Sequence, residues 1–439
     1  MPWWGWVCTM PGMTETPLRP LRAGSLFTGV LGLDIGVGQA LGADVDLVFV
    51  ADNDLAATRV LAARTTAANL GDVTRIDWET VPAVDVLHGS SPCQSVSPAG
   101  RMEGLTSESK SGLWSHMATA VAALRPALVL WENVPGILSA NAAACPLCRD
   151  CSPVRLRAMG RVVADLASAG YDSTWTTMSA SDVGACHRRK RVFLVAWPRS
   201  EDPLPDIDPV AAWDGSHDAW VTLGGDRPDC QVRLTTGVSP VSMMKGPFPS
   251  DGTCVAGLLH RSGDAPESKR PERLLLPTPV ASPSYNSPET HLAKKPGRTR
   301  VTDLSIIVAG GLLATGGCLP AARTNPGNPW GAYAESVAQW EQVLGRAAPD
   351  PGEPGPSGRT VLAPRAVEWM MGFPDGWFTD LDLWRGWSAT ARRTAQLRLA
   401  GNAVVPLQAA AAFRLLLRRA TAISPSNPVL SAKNTVSAS

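Results

Sequence analysis

Two positions carry side chains suited to covalent chemistry on an electron-poor ring. Cys93, in Pro92-Cys93-Gln94, follows the apolar run Val84 to Leu87 through Gly89-Ser90-Ser91. A thiolate at a strand end is a soft, accessible nucleophile, whereas a lone cysteine is otherwise a small buried residue. Glu132, in Trp131-Glu132-Asn133-Val134, ends a second apolar run, Ala127 to Trp131. In one crevice, a thiolate and a carboxyl group that can be held protonated add to such a ring and protonate it. A third group suits a nucleotide-like cofactor. Gly29 and Gly32 follow an apolar strand and would let a ligand approach the backbone. Asp52 ends the next strand, where a carboxylate can accept from ribose hydroxyls or cap a helix. Asp72, after Gly71, fits either a ligand contact or a plain turn. Gly36-Val-Gly38-Gln-Ala-Leu-Gly42 has dinucleotide-fingerprint spacing but falls inside a helical stretch, so it reads as helix packing.

The elements that must position these groups alternate between strand and helix. Strands are expected at Ser25–Phe27, Asp46–Ala51, Val84–Leu87, Ala127–Trp131, Ser173–Met178 and Arg191–Ala196. Helices are expected after a Gly-containing turn to about Leu41, and over Leu55–Ala68, Leu113–Leu124 and Val154–Ala169. This pattern implies an α/β fold with a largely parallel, doubly wound, Rossmann-like sheet. Ligands in such sheets sit beyond the carboxyl ends of the strands, where Gly29, Asp52, Cys93 and Glu132 fall. We expect a lead-in at 1–23 and the first part of the catalytic and cofactor-binding domain at 24–197. A smaller irregular domain follows at 198–348, then a Pro/Gly-rich linker at 349–358. The C-terminal part of the catalytic domain spans 359–423, and a flexible tail spans 424–439. Trp330, Tyr333, Val337, Trp340 and Leu344 recur at helical spacing within the irregular domain.

The 439 residues are 44 % hydrophobic and 18 % charged, which excludes wholesale disorder. A formal net charge of +1 gives no global basic field, although one face could still be basic. No run of about 18 uninterrupted apolar residues suggests a membrane span. The N-terminus lacks a signal-peptide pattern. Nine cysteines without framework spacing point to a reduced, cytosolic chain.

The motifs taken in order resemble the DNA (cytosine-5)-methyltransferase family. They are Phe27-Thr28-Gly29, Asp52, Gly71-Asp72, Pro92-Cys93-Gln94, Glu132-Asn133-Val134, Arg189-Lys190-Arg191, Gly372-Phe-Pro-Asp375 and Gly401-Asn402-Ala403-Val-Val-Pro406. The resemblance covers 24–197 and 359–420, and the irregular region falls where the family has its variable target-recognition domain. It implies S-adenosyl-L-methionine as cofactor and carbon 5 of a flipped-out cytosine as methyl acceptor. Cys93 would add to carbon 6, and protonated Glu132 would donate to ring nitrogen 3. Asn133 would buttress the loop, and Arg189 and Arg191 would hold the base and the catalytic loop. Phe27, Thr28, Gly29, Gly32, Asp52, Asn53, Asp72, Pro92, Leu113, Asn402 and Ala403 would bind the cofactor. The chain departs from the family pattern at Leu31, at Asn53 (often aromatic), at Lys110-Ser-Gly-Leu113-Trp and at His187 (often Gln).

Cys145, Cys148 and Cys151 offer three soft ligands; a structural zinc completed by Cys186 or Cys8, or a loop of unpaired thiols, both fit. Gln94 and the basic run Lys294, Lys295, Arg298 and Arg300 are candidates for DNA contact, the run being equally a solvated loop. The family implies double-stranded DNA as partner and leaves a cognate restriction endonuclease open. A monomer in the cytoplasm of a prokaryote or its phage is the expectation. A tRNA cytosine-5 methyltransferase and a non-catalytic DNA-binding member of the fold are the alternatives. A nicotinamide-dependent dehydrogenase would explain Gly29 and Asp52 but not Cys93 and Glu132.

Overall fold

The structure, a computed structural model, describes residues 19–42, 45–91, 113–140, 157–199, 221–223, 232–234, 250–255, 258–260, 273–284, 286–319, 328–355 and 358–423. Its strands are β1 (Leu21–Leu26), β2 (Val45–Ala51), β3 (Ala68–Asn69), β4 (Val86–Gly89), β5 (Leu128–Asn133), β6 (Tyr171–Ser179) and β7 (Lys190–Pro198). They continue with β8 (Val221–Leu223), β9 (Val232–Leu234), β10 (Gly252–Val255), β11 (Leu258–His260), β12 (Gly352–Pro354) and β13 (Thr360–Leu362). The helices are α1 (Gly32–Leu41), α2 (Leu55–Arg64), α3 (Trp114–Leu124), α4 (Ala158–Ser168) and α5 (Pro288–Ala293). Then come α6 (Leu304–Ala309), α7 (Ala334–Leu344), α8 (Pro364–Met370), α9 (Ala389–Asn402) and α10 (Pro406–Ile423).

One sheet runs in the order β3-β2-β1-β4-β5-β7-β6-β10-β11-β8-β9. Strands β1 to β5 pair in parallel. The chain leaves β1 for β2 on one side and returns to β4 on the other, so the crevice opens beyond the ends of β1 and β4. From β7 onward the pairings are antiparallel, so the sheet is mixed. The reason is length. A parallel return needs a crossover of a dozen or more residues, and β6 reaches β7 through the short stretch 180–189.

Alternation along β5 divides the core. Leu128 and Leu130 face α1 and α10, joined by Val37, Phe413 and Leu416. Val129 and Trp131 face α3 and α4, joined by Met117, Val121 and Val162. Gly36 sits where an added Cβ would lie 2.6 Å from the Ala409 Cβ, so its lack of a side chain lets α1 and α10 pack closely. Phe193 and Phe413 meet edge to face at 5.4 Å. The stretch Ala389–Ile423 is long and apolar enough to cross a membrane, but 72 % of its apolar window is buried inside the fold.

A third core joins segments expected in different units. Leu276, Val301, Leu304, Ile307, Trp330 and Trp340 pack with Trp369, Phe373, Phe378 and Leu397. Trp340 also donates from Nε1 to Trp369 O at 3.2 Å. The run 349–358, expected as a linker, contains β12, which pairs antiparallel with β13. Helix α2 ends earlier than expected, at Arg64, and the residues after it supply β3. Helix α9 gave no sequence signal. Its polar stripe carries exposed Thr390 and Thr394 and half-buried Arg392 and Arg393, and Ser388 caps it by accepting from Ala391 N.

Candidate functional site

The residues after β1 set the geometry. Phe27 and Leu31 adopt left-handed backbone, φ 54° and 66°, as does Gly29 at 59°. Such values are unfavourable for side-chain-bearing residues and concentrate where a loop is held for a purpose. Thr28 ties the turn: its hydroxyl donates to Ser25 O and accepts from Ala51 N, each at 3.2 Å. Gly29 N then donates to Asp52 Oδ2 at 2.8 Å, and Asp54 N to Asp52 Oδ1 at 2.8 Å. Asp52 is therefore not the cap of α2. Asp54 is, accepting from Ala56 N and Ala57 N. Burial pushes the Asp52 carboxyl above its ordinary range, opposed by the two backbone donors.

These residues open onto a cavity of about 510 Å³, a size suited to a small cofactor. Its walls include Phe27, Thr28, Gly29, Gly32, Asp52, Asn53, Asp72, Leu113, Asn402 and Ala403, which are the expected cofactor residues apart from Pro92. An added Cβ at Gly29 or Gly71 would meet no protein atom within 4 Å, so both walls are open towards ligand. Asp72 caps a short 3-10 turn, accepting from Thr74 N at 3.0 Å, and takes a bond from Asn53 Nδ2 at 3.1 Å. The Thr74 backbone donor is the chief reason its carboxyl sits below the usual range. Asp72 thus caps a turn and also lines the cavity.

The cavity also gains walls that sequence reasoning missed: Ser90, Ser91, Arg398 and Val404. Arg398 pairs with Asp54, with Nη2 at 3.0 Å from Oδ1. Burial raises the Asp54 carboxyl, but the Arg398 hydrogen bond and charge and the helix N–H groups bring it below its ordinary value. Spacing gave no signal for Arg398, because its partner lies 344 residues away.

Glu132 ends β5, only 3 % exposed. Arg191 Nε lies 2.9 Å from Oε1, and the Ser90 hydroxyl donates to Oε2. Asn133 donates from Nδ2 to Ser91 O at 3.1 Å, and Trp131 Nε1 donates to Ser91 Oγ at 3.1 Å. The exit of β5 therefore grips the exit of β4 immediately before Pro92. Pro92, Cys93 and Gln94 themselves lie outside the described residues, as do Cys145, Cys148 and Cys151.

The two arginines separate. Arg191 faces Glu132, whereas the guanidinium of Arg189, 2 % exposed and at φ 26°, holds main chain. Its guanidinium donates to the carbonyls of Pro279 (3.3 Å), Gly401 (3.0 Å) and Ala403. The fork joins the strand-end segment to the C-terminal wall of the cavity. His187 is fully buried, with Nε2 3.0 Å from Met370 O, and burial together with Arg189 pushes its pKa down to about 3. It is a neutral packing group. Lys294, Lys295, Arg298 and Arg300 follow α5, and Arg298 Nη1 donates to His291 O at 3.0 Å. None of the four is among the residues lining the cavity.

Comparison with known proteins bears on the same stretch. The C-5 cytosine-specific DNA methylase family matches residues 21–212. The chain is 29 % identical over 189 residues to Type II methyltransferase M.NgoPII of Neisseria gonorrhoeae, covering 43 % of this chain and 51 % of that protein. It is 30 % identical over 187 residues to Type II methyltransferase M2.BsuMI of Bacillus subtilis, covering 42 % and 43 %. The chain thus spans about half the length of the curated relatives it matches. A crystal structure of S. pombe Dnmt2 methyltransferase covers 91 % of this chain and 99 % of its own at 14 % identity, with a TM-score of 0.42, too low to carry an argument. Over residues 21–212 the chain is thus similar to the C-5 cytosine-specific DNA methylase family.

Proposed function

We propose that the protein is a DNA cytosine-5 methyltransferase that uses S-adenosyl-L-methionine. The observation that carries this reading is the placement of Glu132. It is a buried carboxyl group held by Arg191 and Ser90 beside a cofactor-sized cavity, within the stretch that matches the family. The donor set suits the cofactor. Asp52 would take the ribose, Asp72 and Asn53 the adenine edge, and Phe27 to Gly29 with Asn402 and Ala403 the methionine portion. S-adenosyl-L-methionine would supply an electrophilic methyl group there.

The chain's own residues would do the rest. The Cys93 thiolate adds to carbon 6 of a flipped-out cytosine, forming a carbon–sulfur bond and raising electron density at carbon 5. Glu132, protonated when the base arrives, gives its proton to ring nitrogen 3 and later takes it back. Arg191 holds that carboxyl group in place, and Asn133 holds Ser91 ahead of the nucleophile. With the methyl group on carbon 5, the carbon 5 proton would pass to solvent and the electrons of its bond would re-form the 5,6 double bond as the Cys93 thiolate leaves. Arg189 serves this reading as a clamp on the cavity wall, not as a base contact. Double-stranded DNA is the substrate, and Gln94 and the basic run after α5 are its candidate contacts. The residues around 198–348 would carry target recognition. A monomer acting in the cytoplasm, with a restriction endonuclease as companion, completes the proposal.

Bisulfite sequencing of DNA from a methylation-free bacterial host expressing the chain tests this. Protection of cytosines within one short sequence context is expected. Soluble protein with unprotected DNA, and with methyl incorporation into tRNA instead, would overturn the DNA substrate.

A further inference from the structure

We propose that Ser90 is a positioning residue for the carboxyl group of Glu132, an inference that rests on the methyltransferase reading above. Strand register brings the two together. Gly89 on β4 lies opposite Trp131 on β5 in a parallel pair, so Ser90 and Glu132 leave the sheet side by side. Ser90 N donates to Leu26 O at 3.4 Å, and an added Cβ at Gly89 would lie 2.9 Å from that same oxygen. The backbone that carries Ser90 is therefore fitted closely against the end of β1. Its hydroxyl donates to Glu132 Oε2 while Arg191 approaches Oε1, so each carboxyl oxygen has its own partner. Oε1 receives no hydrogen bond, so the directional hold on the carboxyl group is the Ser90 hydroxyl at Oε2. Held by Arg191 alone, it could swing and share both oxygens with the guanidinium, presenting the wrong edge to a base. Ser90 also lines the cofactor cavity. It is thus a side chain bordering both the cavity and the proton donor.

The test uses the purified full chain and a duplex carrying the site found by bisulfite sequencing. Ser90→Ala should lower kcat about 2- to 10-fold, the range for losing a hydrogen bond to a neutral group. KM values for S-adenosyl-L-methionine and DNA should stay within about threefold. Ser90→Thr, which keeps the hydroxyl, should recover most of the rate, and the near-isosteric Ser90→Val should not. That pair decides the matter even if Ser90→Ala folds poorly. In the Glu132→Gln background, Ser90→Ala should cost little more, because its effect runs through the carboxyl group. Equal rates for the Thr and Val variants, or full additivity with Glu132→Gln, would overturn the inference while leaving the methyltransferase reading intact. A wild-type chain that transfers no methyl group would overturn both.

Discussion

The strand-end region and the C-terminal wall build the same cavity by opposite means. At the ends of β1, β2, β4 and β5, side chains do the work: Asp52 collects the N–H groups of Gly29 and Asp54, and Glu132 collects Ser90 and Arg191. In the C-terminal wall, the main chain is what is held. Arg189 grips carbonyls at 279, 401 and 403, and Trp377 Nε1 donates to Val30 O at 2.8 Å. Glu368, buried, accepts from the N–H groups of Gly376, Phe378 and Thr379. The first region fixes chemistry, the second fixes position. Substitutions should divide the same way, into losses of rate on an intact fold and losses of fold.

Cys93→Ala would break the comparison most sharply. On the proposed mechanism it should reduce methyl transfer by roughly 10⁴-fold or more while DNA binding, measured by gel shift, persists. Appreciable turnover would remove the covalent step. Glu132→Gln comes next, with an expected loss of about 10²- to 10⁴-fold in kcat. Near-normal turnover would show that Glu132 is not the proton donor.

Arg189→Ala tests the other region. Leaving several buried carbonyls without their donor should cost about 3 kcal/mol or more, read as a lower urea midpoint. Arg189→Lys should rescue poorly, because one ammonium cannot reproduce a planar fork across three segments. A stable Arg189→Ala protein that has lost only turnover would move Arg189 back among the residues that touch the base.

This division also explains what the sequence revealed. Phe27 to Gly29, Asp52 and Glu132 stand within a few positions of strand ends, so element pattern and residue type together located them. Ser90 and Ser91 did not stand out, because serines between a glycine and a proline read as ordinary turn residues. Arg398 and the partners of Arg189 were hidden for a deeper reason. A carbonyl clamp asks nothing of the side chains it holds, and Asp54–Arg398 links points 344 residues apart. Helix α9 was hidden by its polar stripe, and β12 by the Pro/Gly run that contains it. The antiparallel turn to β7 was within reach, since the stretch 180–189 is too short for a helical crossover.

The smallest expected effect lies where the two regions touch. Asp54 caps α2 and pairs with Arg398 of α9, and its carboxyl is held below the ordinary value. A lowered carboxyl contributes stability above its unfolded pKa and loses it as pH falls through the folded value. The pair should therefore help the fold at neutral pH and fade below about pH 4. Its two side chains are 40 % and 31 % exposed, so solvent screens the attraction and its worth is under about 1 kcal/mol. Asp54→Asn, which retains a capping oxygen, should lower the urea midpoint slightly at pH 7 and by less near pH 3. Salt should shrink the difference at pH 7. An Asp54→Asn deficit that is equally large at both pH values would mean that the contact between the two regions is one of shape, with the charge pair incidental to it.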